Sequence, residues 1–151
     1  MQKSKNAFTM IELVFVIVIL GVLAAVIVPK LAATRADAEA STRAHTIMTA
    51  ANEIVSYAVA VGQTDSNLSQ MSNSIFSLEL SNEAVLANNK ATISTGSISD
   101  CVTIEVTVGL TDDTLIITFG NANGDNACIS LQSLINTDEY PVKLRGISIV
   151  Y

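Results

Sequence analysis

The sequence predicts an α+β protein in which one long N-terminal helix packs on a small antiparallel β-sheet. An apolar stretch, Phe8 to Pro29, opens the chain after a short leader and is followed by a segment with helical periodicity. Alternating, β-branched segments are strongest in the last third of the sequence, where both cysteines also lie. Helical patterns therefore come first and strand patterns last, as expected of a helical stem that carries a sheet.

The stretch from Phe8 to Pro29 has the length and composition of a membrane span. It contains one charged residue, Glu12, and the 17 residues from Leu13 to Pro29 are all uncharged. As a helix it would be about 33 Å long at about 1.5 Å per residue, close to the hydrocarbon thickness of a bilayer. The segment 8–29 is therefore predicted to be a transmembrane helix.

Residues 1–7, MQKSKNA, form a polar leader in front of this helix. Lys3 and Lys5 lie in the leader, so the positive-inside rule places the N-terminus in the cytoplasm and exports the rest of the chain. Pro29 and Lys30 interrupt the place where a secretory signal would be cleaved, which makes a cleavable signal peptide the weaker interpretation. The small residue at the leader–helix junction is Ala7, and cleavage there would leave the whole hydrophobic helix on the mature chain.

The segment Lys5 to Leu13, KNAFTMIEL, resembles the class III leader and N-terminal helix of type IV pilins and of the pseudopilins of type II secretion systems. The resemblance implies that a prepilin peptidase cleaves between Ala7 and Phe8 and methylates Phe8. Glu12 matches the glutamate at the fifth mature position of the family, and Pro29 matches its helix-loosening proline. The family usually has Gly before the cleavage site, so Ala7 puts the rate of processing in question. The motif covers about 30 of the 151 residues.

The resemblance implies a structural, non-enzymatic subunit of a type IV pilus-like filament, either a pilus or a secretion pseudopilus. Such a subunit waits in the bacterial inner membrane as a single-pass protein with a periplasmic C-terminal domain. An inner-membrane assembly platform then adds it to a homo- or hetero-oligomeric filament with other pilins. The alternative is a periplasmic binding domain that keeps its N-terminal segment as an uncleaved membrane anchor. Met1 at the N-terminus of the isolated protein would favour the anchor.

Glu12 calls for a physical explanation of its own. A carboxylate in the bilayer core costs about 3 kcal/mol even on insertion-based scales, so such a residue is by default functional and needs a partner. No Lys, Arg or His lies between Phe8 and Pro29. The partner is therefore expected from another chain, and cleavage after Ala7 would supply the Phe8 α-amine. Such a pair would select the axial register between neighbouring subunits. Alternatively, Glu12 lies near the interface and its carboxylate reaches water.

Residues 30–62 are predicted to continue the helix as an amphipathic stem that ends at Gly62, with Pro29 as a kink or weak point between its two halves. Arg43 is expected on a solvated face, and the single histidine, His45, is expected to be a surface residue without a ligand role. The predicted buried face consists of Ala44, Ile47, Met48, Ala51, Ile54, Val55, Ala58 and Val61.

Residues 63–151 are predicted to form the exported globular domain, with three or four strands. The segments Val102–Val108 and Leu115–Phe119 alternate in polarity or are β-branched, which predicts a hairpin. A short helix is expected at Ile129–Ile135 and a final strand at Gly146–Tyr151. Weaker signals indicate a short helix opening in 81–86 and a short edge strand in 91–94.

Cys101 and Cys128 are the two cysteines of the chain. In an oxidising compartment they are expected to form a disulfide, which would close a loop of roughly 27 residues and stabilise the domain by about 3 to 4 kcal/mol. The alternative is a pair of buried free thiols. A C-terminal disulfide loop also resembles type IV pilins.

The segment 121–126, NANGDN, has oxygen-bearing side chains at Asn121, Asn123 and Asp125. It weakly resembles the calcium-binding loops of some pseudopilins, but it lacks the bidentate Glu of an EF-hand. A plain turn is the favoured interpretation, and no cofactor is expected.

The formal net charge of −6 argues against a general nucleic-acid surface, which would need clustered Lys and Arg. No phosphate-binding loop or nucleophile–base constellation indicates an enzyme.

Overall fold

The computed structural model describes residues 8–110 and 112–145, and the chain divides into two compact units, Met1–Ala36 and Asp37–Tyr151. This boundary falls inside the predicted stem. The elements in chain order are α1 (Met10–Val61), α2 (Leu68–Met71), α3 (Asn73–Leu80), β1 (Ala84–Ala87), β2 (Lys90–Thr95), β3 (Ile98–Val108), β4 (Asp113–Phe119), α4 (Asn126–Leu134) and β5 (Val142–Arg145).

Helix α1 is continuous over 52 residues. This confirms the prediction that the helix of the apolar segment continues into the stem. Pro29 lies inside the helix. Because proline has no backbone N–H, one helical hydrogen bond is missing at that point, and the loosening expected there stays a prediction. The helix ends as predicted at Gly62, which has φ +76° and donates its N–H to Ala58 O at 2.9 Å. Glycine takes this left-handed conformation without the steric cost that a side chain brings.

In the first unit, the described apolar side chains of α1 are exposed. Phe8 is 76 % exposed, Phe15 66 % and Val28 63 %, and the large apolar residues between them are exposed as well. The unit therefore has no core of its own within the part of the chain that the structure describes.

In the second unit, one face of α1 packs on the sheet, as the periodicity predicted. Most of the predicted face is buried or half-buried; the fully or largely buried members are Ala44, Ile47, Ala51, Ile54 and Ala58, with Met48 and Val55 packed against them. The prediction was wrong for Val61, which is 49 % exposed in the last residue of the helix, where the chain turns at Gly62. Ala40 and Ala50 are also buried and were not predicted.

The five described strands form one antiparallel meander in the order β1-β2-β3-β4-β5. The predicted hairpin is confirmed as β3–β4, which pairs from Val102 with Phe119 to Val108 with Asp113. Its inward residues join α1 in a single hydrophobic core that includes Ile93, Val102, Ile104, Val106, Leu115 and Ile117. The predicted short helix is confirmed as α4, three residues earlier than its expected start.

The expected helix opening in 81–86 was wrong. The helical segment precedes it, as α3, and residues 84–87 are the edge strand β1. Ser72 caps the start of α3 by accepting a hydrogen bond from Ile75 N at 3.1 Å. Asn82, with φ 58°, ends it, since Glu83 N then donates back to Leu78 O at 2.9 Å. Short elements of this kind are set by their caps rather than by periodicity.

The sheet also differs from expectation in size and order. Strand β2 covers the predicted segment 91–94, but it lies between β1 and β3 rather than at an edge. Five strands are described instead of three or four, because β1 and β5 were not predicted. The strand predicted at 146–151 lies outside the described residues.

Candidate functional site

Glu12 lies in the first turn of α1, where it forms a reciprocal hydrogen-bonded pair with Thr9. The Glu12 carboxylate accepts hydrogen bonds from the Thr9 backbone N–H at 2.8 Å and from the Thr9 hydroxyl at 2.6 Å. The Glu12 backbone N–H in turn faces Thr9 Oγ1 at 3.4 Å. Since Thr9 precedes the first helical residue and Glu12 follows three positions later, the pair is a capping box. It satisfies N–H groups that a helix start otherwise leaves without partners.

The capping box supplies hydrogen bonds to Glu12 but no opposite charge. Phe8, Ile11, Phe15 and Val16 line a shallow groove around this carboxylate. The groove is mainly apolar, and these four residues and Glu12 itself are exposed in the single chain. A bare carboxylate in such surroundings is costly without a cation. The geometry therefore leaves Glu12 locally held and still able to accept a cationic partner from outside the chain.

The helix that bears Glu12 is long and apolar enough to cross a membrane. It is the one such helix among residues 8–110 and 112–145, and its most apolar window has a mean hydropathy of 3.2. Phe8, beside the predicted cleavage point, lies two residues before its start. Ala7 lies outside the described residues.

The predicted disulfide is present in the second unit. Cys101, in β3, and Cys128, in the first turn of α4, are bonded to each other with their Cα atoms 5.7 Å apart. Both residues are fully buried. Gln132, one turn further along α4, donates its side-chain amide to Cys101 O at 2.8 Å and to Gly120 O at 2.9 Å. Helix α4 is thus tied to the sheet by one covalent bond and two hydrogen bonds.

The three residues with a weak calcium-loop resemblance lie together in the turn before α4. Asp125 caps that helix: its Oδ1 accepts from Ala127 N at 2.9 Å and Cys128 N at 3.1 Å. Its Oδ2 accepts from the backbone N–H of Ser97 at 3.0 Å and from the hydroxyl of Ser97 at 2.7 Å. The Ser97 hydrogen bonds are the main reason that the pKa of Asp125 falls to about 2.

In the same turn, Asn121 Oδ1 accepts from Asn123 N at 2.9 Å. The side chains of Asn121 and Asp125 are therefore engaged in protein hydrogen bonds, and the expectation that this loop holds no calcium stays a prediction. Among the described residues, no group of three or more His, Cys, Asp or Glu side chains could hold a metal ion. His45 is exposed on α1.

Two charged residues of the stem have structural roles that the sequence did not indicate. Arg43, expected to be solvated, donates to Glu83 Oε1 at 2.6 Å and to Ser94 O at 2.9 Å, so it joins α1 to the residue that precedes β1 and to β2 itself. Glu53 accepts from the Ser72 hydroxyl at 2.6 Å and from Ser74 N at 3.0 Å. Burial raises the pKa of Glu53, but these hydrogen bonds outweigh it and the net pKa is lowered. No local sequence pattern predicts the contacts of Arg43 or those of Glu53. The Thr9–Glu12 pair, by contrast, was readable as T-x-x-E.

Comparison with protein families identifies a match at the N-terminus. Residues 2–28 match the family described as the prokaryotic N-terminal methylation motif, which is the signature of type IV pilins and pseudopilins. The matched range contains leader residues 2–7, which include Ala7, as well as Phe8 and Glu12, and it ends one residue before Pro29. Comparison with curated proteins and comparison with solved structures yielded no match.

Proposed function

We propose that this chain, which carries the N-terminal methylation motif of type IV pilins and pseudopilins, is a structural subunit of a type IV pilus-like filament. One observation carries the proposal: the motif over residues 2–28 coincides with a helix start whose apolar side chains are uncovered within the chain. A surface of that kind is stable only in lipid or against other apolar surfaces. The proposed role is structural and needs neither catalysis nor a cofactor.

Processing is the first step of the proposed function. A prepilin peptidase cleaves between Ala7 and Phe8 and methylates the new α-amine of Phe8. The cut leaves Thr9 as the second mature residue and Glu12 as the fifth. Before and after the cut, the subunit waits in the bacterial inner membrane with its N-terminus on the cytoplasmic side and its second unit in the periplasm.

Assembly is the second step. An inner-membrane platform extracts the subunit, and the apolar side chains of 8–29 exchange lipid for the helices of neighbouring subunits. Packing of this stripe provides affinity that has little axial preference, because the stripe is uniformly apolar. The Glu12 carboxylate pairs with the Phe8 amine of a neighbour and so selects one register. Before this pair forms, hydrogen bonds from Thr9 hold the Glu12 carboxylate in the capping box.

The alternative function is a periplasmic binding domain with an uncleaved N-terminal anchor. An anchor needs an apolar helix of sufficient length, but it needs neither a carboxylate in its first turn nor a small residue before an aromatic at its start. Glu12 and the Ala7–Phe8 junction therefore favour the filament subunit.

The N-terminus of the protein isolated from membranes distinguishes the two functions. Intact-mass analysis of protein from cells that contain a prepilin peptidase should show the loss of MQKSKNA and the gain of one methyl group. Ala7→Gly should speed this maturation, and Ala7→Asp, which places a charge at the cleavage site, should block it. If the wild-type chain keeps its full leader under those conditions, the proposed function is wrong and the anchor is favoured.

A further inference from the structure

We propose that the Asn123–Gly124 peptide is a site of spontaneous deamidation, through which the exported unit gains negative charge with age. The chain contains one Asn-Gly pair. It forms the centre of the turn from Ala122 to Asp125, which is closed by a hydrogen bond from Asp125 N to Ala122 O at 2.8 Å. Asn123 has φ 49° and Gly124 φ 82°, the two positive values of a type I′ turn.

The reaction needs only the chain and water. The backbone nitrogen of Gly124 attacks Cγ of Asn123, a new C–N bond forms, and the bond between Cγ and the side-chain nitrogen breaks. The side-chain nitrogen leaves as ammonia and takes with it the proton lost from the Gly124 N–H. Water then opens the resulting cyclic imide at one of its two carbonyls, which leaves either an aspartyl or an isoaspartyl residue at position 123. No atom is oxidised or reduced.

The geometry exposes both reacting groups. Asn123 and Gly124 are solvent-exposed. Within residues 8–110 and 112–145, the Asn123 side chain makes no hydrogen bond, and the Gly124 N–H donates none. A Cβ at Gly124 would meet no atom within 4 Å, so no neighbouring group crowds this residue. Because glycine has no side chain, the approach to Cγ is not crowded from the following residue.

Other asparagines of the same unit provide an internal comparison. Asn67 Oδ1 accepts a hydrogen bond from Ser69 N at 3.0 Å, and Asn136 Oδ1 accepts one from Asp138 N at 3.0 Å. Asn121 Oδ1 is held in the same way by Asn123 N. Each of these residues is followed by a residue with a side chain, Leu68, Thr137 or Ala122. Both features slow the attack at these sites relative to Asn123.

Deamidation would act on the capped start of α4. A carboxylate at position 123 would lie two residues from Asp125, whose carboxylate accepts hydrogen bonds from Ser97, Ala127 and Cys128. A like charge nearby disfavours the ionised form of Asp125 and weakens the cap. The aged protein should therefore unfold at a higher pH on the acid side than the fresh protein, and Asn123→Asp should reproduce that shift.

The test is site-resolved peptide mass mapping of the purified full-length protein in detergent, after incubation at mildly alkaline pH under conditions that keep it folded. Conversion at Asn123 should be severalfold faster than at Asn67, Asn121 or Asn136, with isoaspartate detected at position 123. Gly124→Asn keeps a residue that tolerates positive φ but adds a side chain, and it should slow conversion at Asn123 severalfold. Equal rates at all four sites, or an unchanged rate at Asn123 in the Gly124→Asn variant, would overturn the proposal.

Discussion

The two units of this chain place their apolar residues in opposite ways. In residues 8–31, the large apolar side chains are exposed, from Phe8 at 76 % to Leu31 at 63 %. In the second unit, many apolar residues between Ala40 and Leu144 are buried, and most of these close into one core with α1 on the sheet, whereas Leu80, Val85 and Leu110 are exposed. Hydrophobic free energy folds the second unit, whereas in the first unit it remains available for lipid or for other chains.

This difference separates folding from assembly along one continuous helix. A substitution in the second unit should change the stability of that unit and leave membrane insertion intact. A substitution in the first unit should change assembly and leave the stability of the second unit intact. Variants in each unit can therefore test whether folding and assembly are separate.

The largest effect on stability is expected from truncation of the helix face that fills the core. Ile54 is fully buried. Ile54→Ala should lower the free energy of unfolding of the second unit by about 4 kcal/mol, toward the upper part of the range for such cavities. Ile17→Ala makes the same chemical change at a side chain that is 57 % exposed. Ile17→Ala should leave the midpoint of denaturant unfolding of the second unit unchanged. Equal midpoints for both variants would mean that the separation is wrong.

The disulfide should have the next largest effect. Cys101 and Cys128 are 27 residues apart. Replacing both cysteines by Ser should lower the free energy of unfolding of the second unit by about 3.5 kcal/mol on the chain-entropy model. The protein should still be recovered in the membrane fraction. Thiol labelling of denatured, non-reduced wild-type protein should detect no free thiol, and two reactive thiols would contradict the bond.

A smaller effect is expected in acid, at the cap of α4. The pKa of Asp125 is about 2, below its ordinary value of 3.8. A depressed folded-state pKa stabilises the fold above the ordinary pKa and ceases to do so as the pH falls toward the folded value. The stabilising contribution of Asp125 should thus disappear between about pH 4 and pH 2. Asp125→Asn should flatten this part of the pH–stability profile, measured by thermal unfolding. If Asp125→Asn had the same pH–stability profile in acid as the wild type, the Asp125 cap would not contribute to stability.

The smallest effect is expected at the helix start. Thr9→Val keeps the shape of the side chain and removes the hydroxyl that bonds Glu12. Loss of an N-cap costs about 1 kcal/mol of local helix stability. Filament yield should fall, while the unfolding midpoint of the second unit stays that of the wild type. A shift of that unfolding midpoint in Thr9→Val would mean that the helix start and the second unit are coupled in stability.

The features that follow from local composition were predicted from the sequence. The apolar run, the helical face of the stem and the alternating residues of β3 each repeat one signal over many positions, so the elements were found. The capping box T-x-x-E was also present in the sequence and was missed, because Glu12 was considered only as a charge in need of a partner.

Apart from the Cys101–Cys128 disulfide, most features that depend on contacts between distant residues were not predicted. Strand β1 and helix α3 are short, and the contacts that fix them reach back to the stem, to Glu53 and Arg43. The interior position of β2 depends on β1 forming at its free edge. Strand β5 has only four residues and follows an irregular segment, so it carries little pattern of its own.

The central claim is that the charge of Glu12 directs assembly without contributing to the fold of the second unit. Filament yield by shearing and electron microscopy, together with intact mass and thermal unfolding, tests it in Glu12→Gln and Glu12→Leu. Glu12→Gln preserves shape and hydrogen bonding to Thr9 but removes the charge. Both variants should be cleaved, inserted and folded as the wild type while filament formation fails. Filaments from both variants at wild-type yield would contradict the claim.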